Sequence, residues 1–199
     1  PQLFCPSGET LPSGPFTILY HGIIAKQRKI DNVVKAVSLL EDIDIRFVLL
    51  GDGDGLEDLR QLVEDLGIQN RVSFNRPVSY EEVPEWINCC NAGILPFQSW
   101  DGWNVSSPIK LFEYLACGKP VIVTDIPAHR NVLRDSDFAF WAKQSTPQDI
   151  AEAIRQAYSK RGDFQHLGLE ARKLVLDNYT WAEQARKLEQ FFDFVLSNN

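Results

Sequence analysis

The sequence predicts an α/β fold in which helices cover both faces of a doubly wound, Rossmann-like parallel sheet. Short apolar runs alternate five or six times with segments of helical period. The apolar runs are continuous, which is typical of strands buried on both faces of a parallel sheet. Right-handed crossovers then make the sheet doubly wound. With 199 residues, the chain is long enough to bury a core. Its composition, 44% hydrophobic and 24% charged, is that of a globular protein and excludes a disordered chain.

The first fifteen residues contain four prolines and two glycines and show no periodic pattern. This composition predicts a linker, or an arm leading into the domain, over residues 1–15. One domain is expected over residues 16–199. Because the chain contains no methionine, we expect it to be part of a longer protein.

The predicted strands are short, and a glycine or proline follows most of them. Gly22, Gly51 and Pro96 mark such ends. The strands are predicted at residues 16–20, 45–50, 71–74, 92–95, 121–123 and 137–141.

Capping residues and apolar stripes mark the predicted helices. Ser79 and Glu82 fit a capping box that opens a helix through Asn88. Ser107 and Pro108 fit the N-cap and first position of a helix that continues to Ala116. Further helices are predicted around residues 33–40, 56–66, 146–157 and 181–197, with one more between the last two.

Charge and cysteine content exclude several classes of function. A net charge of −7 argues against a general nucleic-acid binder, because phosphate backbones select basic surfaces. No apolar run approaches the roughly 20 residues of a membrane-spanning helix. The four cysteines form no CxxC pair, so we expect buried thiols in a reducing, cytoplasmic compartment. They are Cys5, Cys89, Cys90 and Cys117.

The loop after the first predicted strand carries three cations within four residues, namely Lys26, Arg28 and Lys29. Ligands of doubly wound sheets bind at the carboxyl ends of the strands. Gly22 would let a ligand approach the backbone there, and Arg28 could bind a phosphate with two hydrogen bonds. The alternative is a solvated basic turn.

The run Gly51–Gly55 follows the second strand, but it lacks the lysine of a P-loop. Its acidic residues would repel a phosphate. A calcium loop counted from Asp52 would need a glutamate where Val63 stands. A tight turn is therefore favoured.

The predicted helix start at Ser107 and Pro108 could hold an anion with its free amides. Lys110 lies near that end, and Glu113 could accept hydrogen bonds from ligand hydroxyls. The alternative is that Lys110 and Glu113 form only a surface pair.

Four aromatic or imidazole side chains in the strand-end loops have open roles. His21 shows no carboxylate partner in the sequence, which favours a structural role. His129 could reach a ligand or serve a helix start. Trp100 and Trp103 could stack on a sugar or base, close a lid, or contact another domain.

Five segments in order resemble the donor-binding half of GT-B glycosyltransferases, specifically the retaining group 1 family (family 4). The block Leu111-Phe112-Glu113-Tyr114-Leu115-Ala116-Cys117-Gly118-Lys119-Pro120-Val121 carries most of the resemblance. The others are 20–28, 49–53, 72–78 and 179–181. The resemblance covers about residues 16–197 and implies half of a GT-B fold.

The resemblance implies roles at matching positions. Arg28 and Lys110 would act on the diphosphate as the catalytic cations, helped by the amides of Ile109 and Lys110. Glu113 would hold the ribose hydroxyls, and Val78 would contact the base. Gly22 and Ser107 complete the expected donor-binding set.

This sequence departs from the family pattern at two positions. The family often has a first glutamate eight residues before the second, where this chain has Val105. Asp101 lies nearby but out of register. Ile23 replaces the arginine that commonly follows the first-strand glycine, so one diphosphate contact is either missing or supplied by Lys26 or Lys29.

The resemblance implies retaining transfer of a sugar from a UDP- or GDP-sugar to an acceptor on an N-terminal domain. No metal and no cofactor are expected, and the chain alone should transfer sugar poorly. Two alternatives stay open: a non-catalytic nucleotide-sugar-binding subunit, and a relative of nucleotide-sugar 2-epimerases. The base, sugar, acceptor and oligomeric state stay undetermined, as does peripheral contact with an inner membrane.

Overall fold

The computed structural model describes residues 2–8 and 14–197 and contains a six-stranded, wholly parallel sheet, which confirms the predicted fold class. The strand order is β3-β2-β1-β4-β5-β6, so the winding reverses between β1 and β4. The strands are β1 (Phe16–His21), β2 (Ile45–Leu50), β3 (Val72–Asn75), β4 (Ala92–Leu95), β5 (Val121–Thr124) and β6 (Ala139–Ala142).

Helices follow the strands and cover both faces of the sheet. In the described part of the chain, none is long and apolar enough to cross a membrane. The helices are α1 (Ile30–Ser38), α2 (Leu56–Asp65), α3 (Val83–Asn88), α4 (Asp101–Asn104), α5 (Ile109–Ala116), α6 (Pro127–Leu133), α7 (Pro147–Ser159), α8 (Phe164–Asn178) and α9 (Trp181–Ser197).

The core forms where the continuous apolar strands meet the apolar stripes of the helices. β1 and β2 pair in register from Phe16 opposite Ile45 to His21 opposite Leu50. The side chains of Ile18 and Phe47 are fully buried. Because helices cover both faces, these strands have no solvent side and need no polar alternation.

The glycine-rich turn after β2 packs directly against the loop after β1. A Cβ added at Gly51 would lie 2.0 Å from the carbonyl oxygen of Gly22. One at Gly53 would lie 2.3 Å from the carbonyl oxygen of Ile24. The amide of Ile24 also donates to the carbonyl of Asp52. The predicted tight turn is confirmed, and its glycines hold the two strand-end loops together.

Two predicted helix starts were wrong. The Glu82 carboxylate accepts hydrogen bonds from the amide and hydroxyl of Ser79, but this pair closes a turn, and α3 begins at Val83. Pro108 is extended, with ψ at 110°, and is itself the N-cap residue of α5, so Ser107 makes no cap. Because Pro108 has extended rather than helical backbone, the helix begins one residue later than predicted, at Ile109.

The first residues pack on the domain although they form no helix or strand between residues 2 and 8. The Phe4 side chain is buried, and its carbonyl accepts a hydrogen bond from Arg172 Nη1 at 3.1 Å. Asn88 Nδ2 donates to the carbonyl of Cys5 at 2.9 Å. Residues 9–13 lie outside the described part, so the predicted linker stays untested there.

The expectation of buried thiols meets a mixed outcome. All four thiols are free, but only Cys90 and Cys117 are buried, while Cys89 is exposed. Burial raises the pKa of both buried thiols to about 12, so they stay protonated. The last helix, α9, leaves its large apolar side chains exposed and does not cover this core; Phe191 and Phe192 are examples.

Candidate functional site

A cavity of about 380 Å³ opens where β1 and β2 end, beside Glu113 of α5. This is the edge of the sheet at which the winding reverses, the usual ligand position in doubly wound folds. Its volume is in the range of small-molecule sites. The lining residues are His21, Gly22, Ile23, Leu50, Gly51, Asp52, Pro77, Val78, Tyr80, Val83 and Glu113.

Lys110 places a buried ammonium group at the start of α5. Its Nζ atom has no hydrogen-bond acceptor among the described residues and lies 4.0 Å from the centre of the Tyr20 ring. A Cβ at Gly22 would lie 3.1 Å from this nitrogen, so the glycine leaves room for the ammonium. Burial and the nearby Arg28 charge lower the pKa of Lys110 to about 7. The described residues therefore offer this ammonium no hydrogen-bonded carboxylate or carbonyl oxygen.

Arg28 comes from the short 3₁₀ turn Lys26–Arg28 after β1 and lies on the other side of Tyr20. Its Nη1 donates to the Tyr20 hydroxyl at 3.2 Å, and that hydroxyl donates to the carbonyl of Ile23 at 2.9 Å. The guanidinium also lies 5.3 Å from the Trp103 ring and 5.6 Å from the Phe97 ring. Tyr20 thus contacts both cations, one with its ring and the other with its hydroxyl.

Glu113 points from α5 into the cavity. Its Oε1 accepts a hydrogen bond from the Tyr80 hydroxyl at 2.8 Å, and its Oε2 lies 3.3 Å from His21 Nε2 without a hydrogen bond between them. Burial raises the pKa of Glu113, while the Tyr80 hydrogen bond and Lys110 act in the opposite direction. The carboxylate is placed to accept hydrogen bonds from ligand hydroxyls.

The two buried histidines are neutral at physiological pH. Burial, assisted by Lys110, lowers the pKa of His21 to about 3. The carboxylate neighbour that the sequence did not reveal is Glu113. Burial also lowers the pKa of His129 to about 4, and its Nδ1 lies 2.8 Å from the carbonyl of Thr124. Both rings therefore serve as polar, uncharged groups at strand ends.

Trp103 has a structural contact that the sequence left open. It stacks on Phe97 with the ring centroids 4.7 Å apart, beside Arg28. Trp100 is about half exposed, at 52%, and meets Trp103 edge to face. The loop between β4 and α5 therefore supplies an aromatic wall for the guanidinium.

The structure brings most of the predicted site residues together. Gly22, Val78 and Glu113 line the cavity, and Lys110 and Arg28 lie beside it around Tyr20. Ser107 and Ile109 are exposed at the opening of α5. Val105, in the place of the missing glutamate, is 87% exposed, and Ile23 is 60% exposed.

Sequence reasoning missed the roles of Tyr20 and Tyr80. In the sequence, Tyr20 looks like one apolar residue of a strand. Its role becomes evident only when the fold brings Arg28 within hydrogen-bond distance of its hydroxyl. Tyr80 lies 33 positions from Glu113, so no local spacing connects the two.

A larger cavity of about 530 Å³ lies between α1 and α2. Its exposed Lys26 and Asp58 side chains form an ion pair at 2.6 Å, so they neutralise one another. Within residues 2–8 and 14–197, no three His, Cys, Asp or Glu side chains are arranged to hold a metal ion. The buried ammonium of Lys110, which has no acceptor among the described residues, lies beside the smaller cavity.

Comparison with known proteins places most of this chain in one protein family. The family profile "Glycosyl transferases group 1" matches residues 6–174. A D-inositol 3-phosphate glycosyltransferase of Pseudarthrobacter chlorophenolicus is 30% identical over 178 residues, which are 86% of this chain and 41% of that protein. The chain spans less than half the length of the curated relatives it matches.

Solved structures share the fold along nearly the whole chain. The Anabaena protein HepE in complex with UDP superposes with a TM-score of 0.77 at 16% identity, over 94% of this chain and 50% of that one. The C-terminal domain of a glycosyl transferase group 1 family protein from Francisella tularensis superposes with a TM-score of 0.74 at 20% identity. That superposition covers 90% of this chain and 97% of that one.

Proposed function

The chain belongs to the glycosyl transferases group 1 family, and from this premise we propose that it binds the nucleoside diphosphate sugar of a retaining glycosyltransferase. The donor would occupy the cavity between β1, β2 and α5. The acceptor would lie on a preceding N-terminal domain, which forms the other wall of the active site. That a structural neighbour is described in complex with UDP supports a nucleotide ligand of this kind.

The observation that carries the proposal is the buried ammonium of Lys110. An ammonium group without an acceptor is costly to bury, and its depressed pKa reflects that cost. A diphosphate would supply the missing anion. The amides of Ile109 and Lys110, at the start of α5, have no intrahelical acceptors and would donate to the same phosphate.

Arg28 would contact the diphosphate from the side opposite α5. Its guanidinium is restrained by Tyr20 and the aromatic wall, and among residues 2–8 and 14–197 its side-chain hydrogen bond goes to Tyr20, which leaves further donors for a phosphate. Two cations on either side of one phosphate group would neutralise most of its charge.

The nucleoside would extend from the phosphates along the cavity. Glu113 would accept the ribose hydroxyls, because both carboxylate oxygens retain free lone pairs beside the Tyr80 bond. The backbone at Val78 would contact the edge of the base. Neutral His21 would form the floor between the ribose and α5 without adding a competing charge.

The chemical contribution of these residues would be electrostatic. Transfer breaks the bond between the anomeric carbon and the diphosphate oxygen and forms one to the acceptor oxygen. Negative charge grows on the leaving diphosphate during that step. Lys110, Arg28 and the α5 amides would stabilise this charge, which is the kind of stabilisation that lowers barriers most in such sites. Retention at the anomeric carbon is checked by NMR of the product formed by the full-length enzyme.

Binding of UDP, GDP and ADP to the 199-residue chain, measured by calorimetry, tests the proposal. We expect saturable binding of one nucleoside diphosphate and a loss on changing Glu113→Gln. Glu189→Gln, on exposed α9, is the matched control and should bind like the parent chain. Absence of binding by all three nucleotides would overturn the proposal.

A further inference from the structure

The N-terminal arm, residues 2–8, contacts the candidate site through a chain of two side chains. The Phe4 ring lies 5.2 Å from the Tyr80 ring, within the range of a direct aromatic contact. The Tyr80 hydroxyl reaches Glu113 Oε1. A segment whose composition predicts a linker therefore ends two contacts away from the carboxylate of the site.

The arm is anchored independently of Tyr80. Phe4 is only 7% exposed, and the Arg172 guanidinium binds both its carbonyl and that of Ala116, at the end of α5. On the other side, Asn88 holds Cys5 and the amide of Ser7. These bonds connect the arm to α3, α5 and α8, so the position of the Phe4 ring is determined by the domain.

Tyr80, in contrast, lies in the turn before α3 and is 55% exposed. The exposed half of the Tyr80 ring is not packed against the domain. The contact with Phe4 therefore restricts where the Tyr80 ring can lie. The phenol stays protonated, because burial and the Glu113 carboxylate raise its pKa to about 12. It therefore remains a hydrogen-bond donor to Glu113 throughout the physiological range.

We propose that Tyr80 is a positioning residue for Glu113 and that the arm, through Phe4, holds Tyr80 in place. The inference concerns this chain's own contacts, and its effect on ligand affinity rests on the proposed function. With the Tyr80 bond present, one carboxylate oxygen is fixed and the other is presented to the cavity. Without it, the carboxylate can rotate and binds ligand hydroxyls less well.

The charged and titratable groups around Glu113 come from three elements. His21 approaches from β1, Lys110 from the preceding turn of α5, and Tyr80 from the turn before α3. His21 is neutral and Lys110 is present in every variant below. A change in the titration of Glu113 on removing the Tyr80 hydroxyl therefore reports the loss of that hydrogen bond.

The test is a carboxyl ¹³C NMR titration of Glu113, assigned by its disappearance in Glu113→Gln. Tyr80→Phe should raise the pKa of Glu113, because a donor that favours the charged form is removed. Phe4→Ala should raise it as well, and Phe4→Leu, which keeps an apolar side chain, covers the case in which the alanine variant fails to fold. Leu3→Ala, a neighbouring and exposed arm position, is the matched control and should leave the titration unchanged.

Two outcomes overturn the proposal: a Glu113 pKa in Tyr80→Phe equal to that of the parent chain, or parent-like titration in the Phe4 variants. Calorimetry with UDP or GDP at pH 5–8 supplies the second readout. We expect Tyr80→Phe to bind up to about tenfold more weakly, with the larger loss at low pH. A raised Glu113 pKa in a chain that binds neither nucleotide would support the contact and refute only the proposed ligand.

Discussion

Lys110→Met should make the chain more stable and its nucleotide binding weaker. Methionine fills a similar volume without charge, so the substitution removes a buried cation and leaves the packing of α5 in place. The two effects have one cause. Lys110 is buried without an acceptor, and the proposed ligand is the group that satisfies it.

The magnitude of the stability change follows from the pKa of Lys110. A lysine shifted from 10.5 to about 7 disfavours the folded state by about 4 kcal/mol at pH 7, at 1.36 kcal/mol per pH unit. The methionine variant should therefore gain up to about 4 kcal/mol, which is roughly 8–16 °C in Tm for a chain of this size.

The loss of affinity is of similar size and depends on pH. A hydrogen bond between charged groups contributes about 1.5–3 kcal/mol, so the variant should bind a nucleoside diphosphate roughly 10- to 150-fold more weakly at pH 6. Above pH 7 the parent chain must take up a proton at Lys110 in order to bind, and its affinity should fall by up to about tenfold per pH unit. The methionine variant should not show this fall in affinity above pH 7.

Differential scanning calorimetry and titration calorimetry between pH 6 and 9 measure both effects. Lys173→Met, an exposed position on α8, is the matched control and should change neither quantity. A Lys110→Met chain that is less stable than its parent would show that the buried ammonium does not destabilise the fold. Equal nucleotide binding at pH 6 would show that Lys110 does not bind the diphosphate.

Three other perturbations test separate parts of the account. Glu113→Gln should weaken nucleoside diphosphate binding by about 1–3 kcal/mol in calorimetry, since a charged hydrogen bond is lost; unchanged affinity in a folded variant would remove Glu113 from the site. Gly53→Ala should lower the urea midpoint by an amount equivalent to about 2 kcal/mol or more, because its Cβ would meet the Ile24 carbonyl at 2.3 Å, and a parent-like midpoint would contradict that close approach. EDTA should leave nucleotide affinity unchanged, whereas a loss that Mn²⁺ restores would show that a metal ion takes part.

The sequence predicted the sheet well because its signals are local. A continuous apolar run closed by glycine or proline marks a buried strand without any knowledge of its neighbours, and the observed β2 and β4 have the predicted bounds. Helix starts were predicted less well, because capping patterns also occur in turns. Ser79 and Glu82 make the predicted contact, but outside a helix.

The candidate site was predictable only in part for the same reason. Arg28, Lys110 and Glu113 stand out as charged residues next to strand ends, so their types and spacing were informative. The residues that contact and position them could not be recognised in the sequence. Tyr20 and Tyr80 look like ordinary aromatic residues until the fold brings them against partners elsewhere in the chain.

The arm shows the limit most clearly. Its prolines and glycines predict a linker or an arm leading into the domain, and residues 2–8 form no helix or strand. Burial of Phe4 depends on a surface built by α3, α5 and α8, which no local pattern in residues 1–15 could reveal.

A structure of this chain soaked with the nucleoside diphosphate that binds best would settle most directly whether its charged crevice is a donor site. We expect the phosphate farther from the ribose within hydrogen-bond distance of Lys110 Nζ, with the ribose hydroxyls on Glu113. Phosphates located away from both side chains, in a well-occupied complex, would contradict that placement.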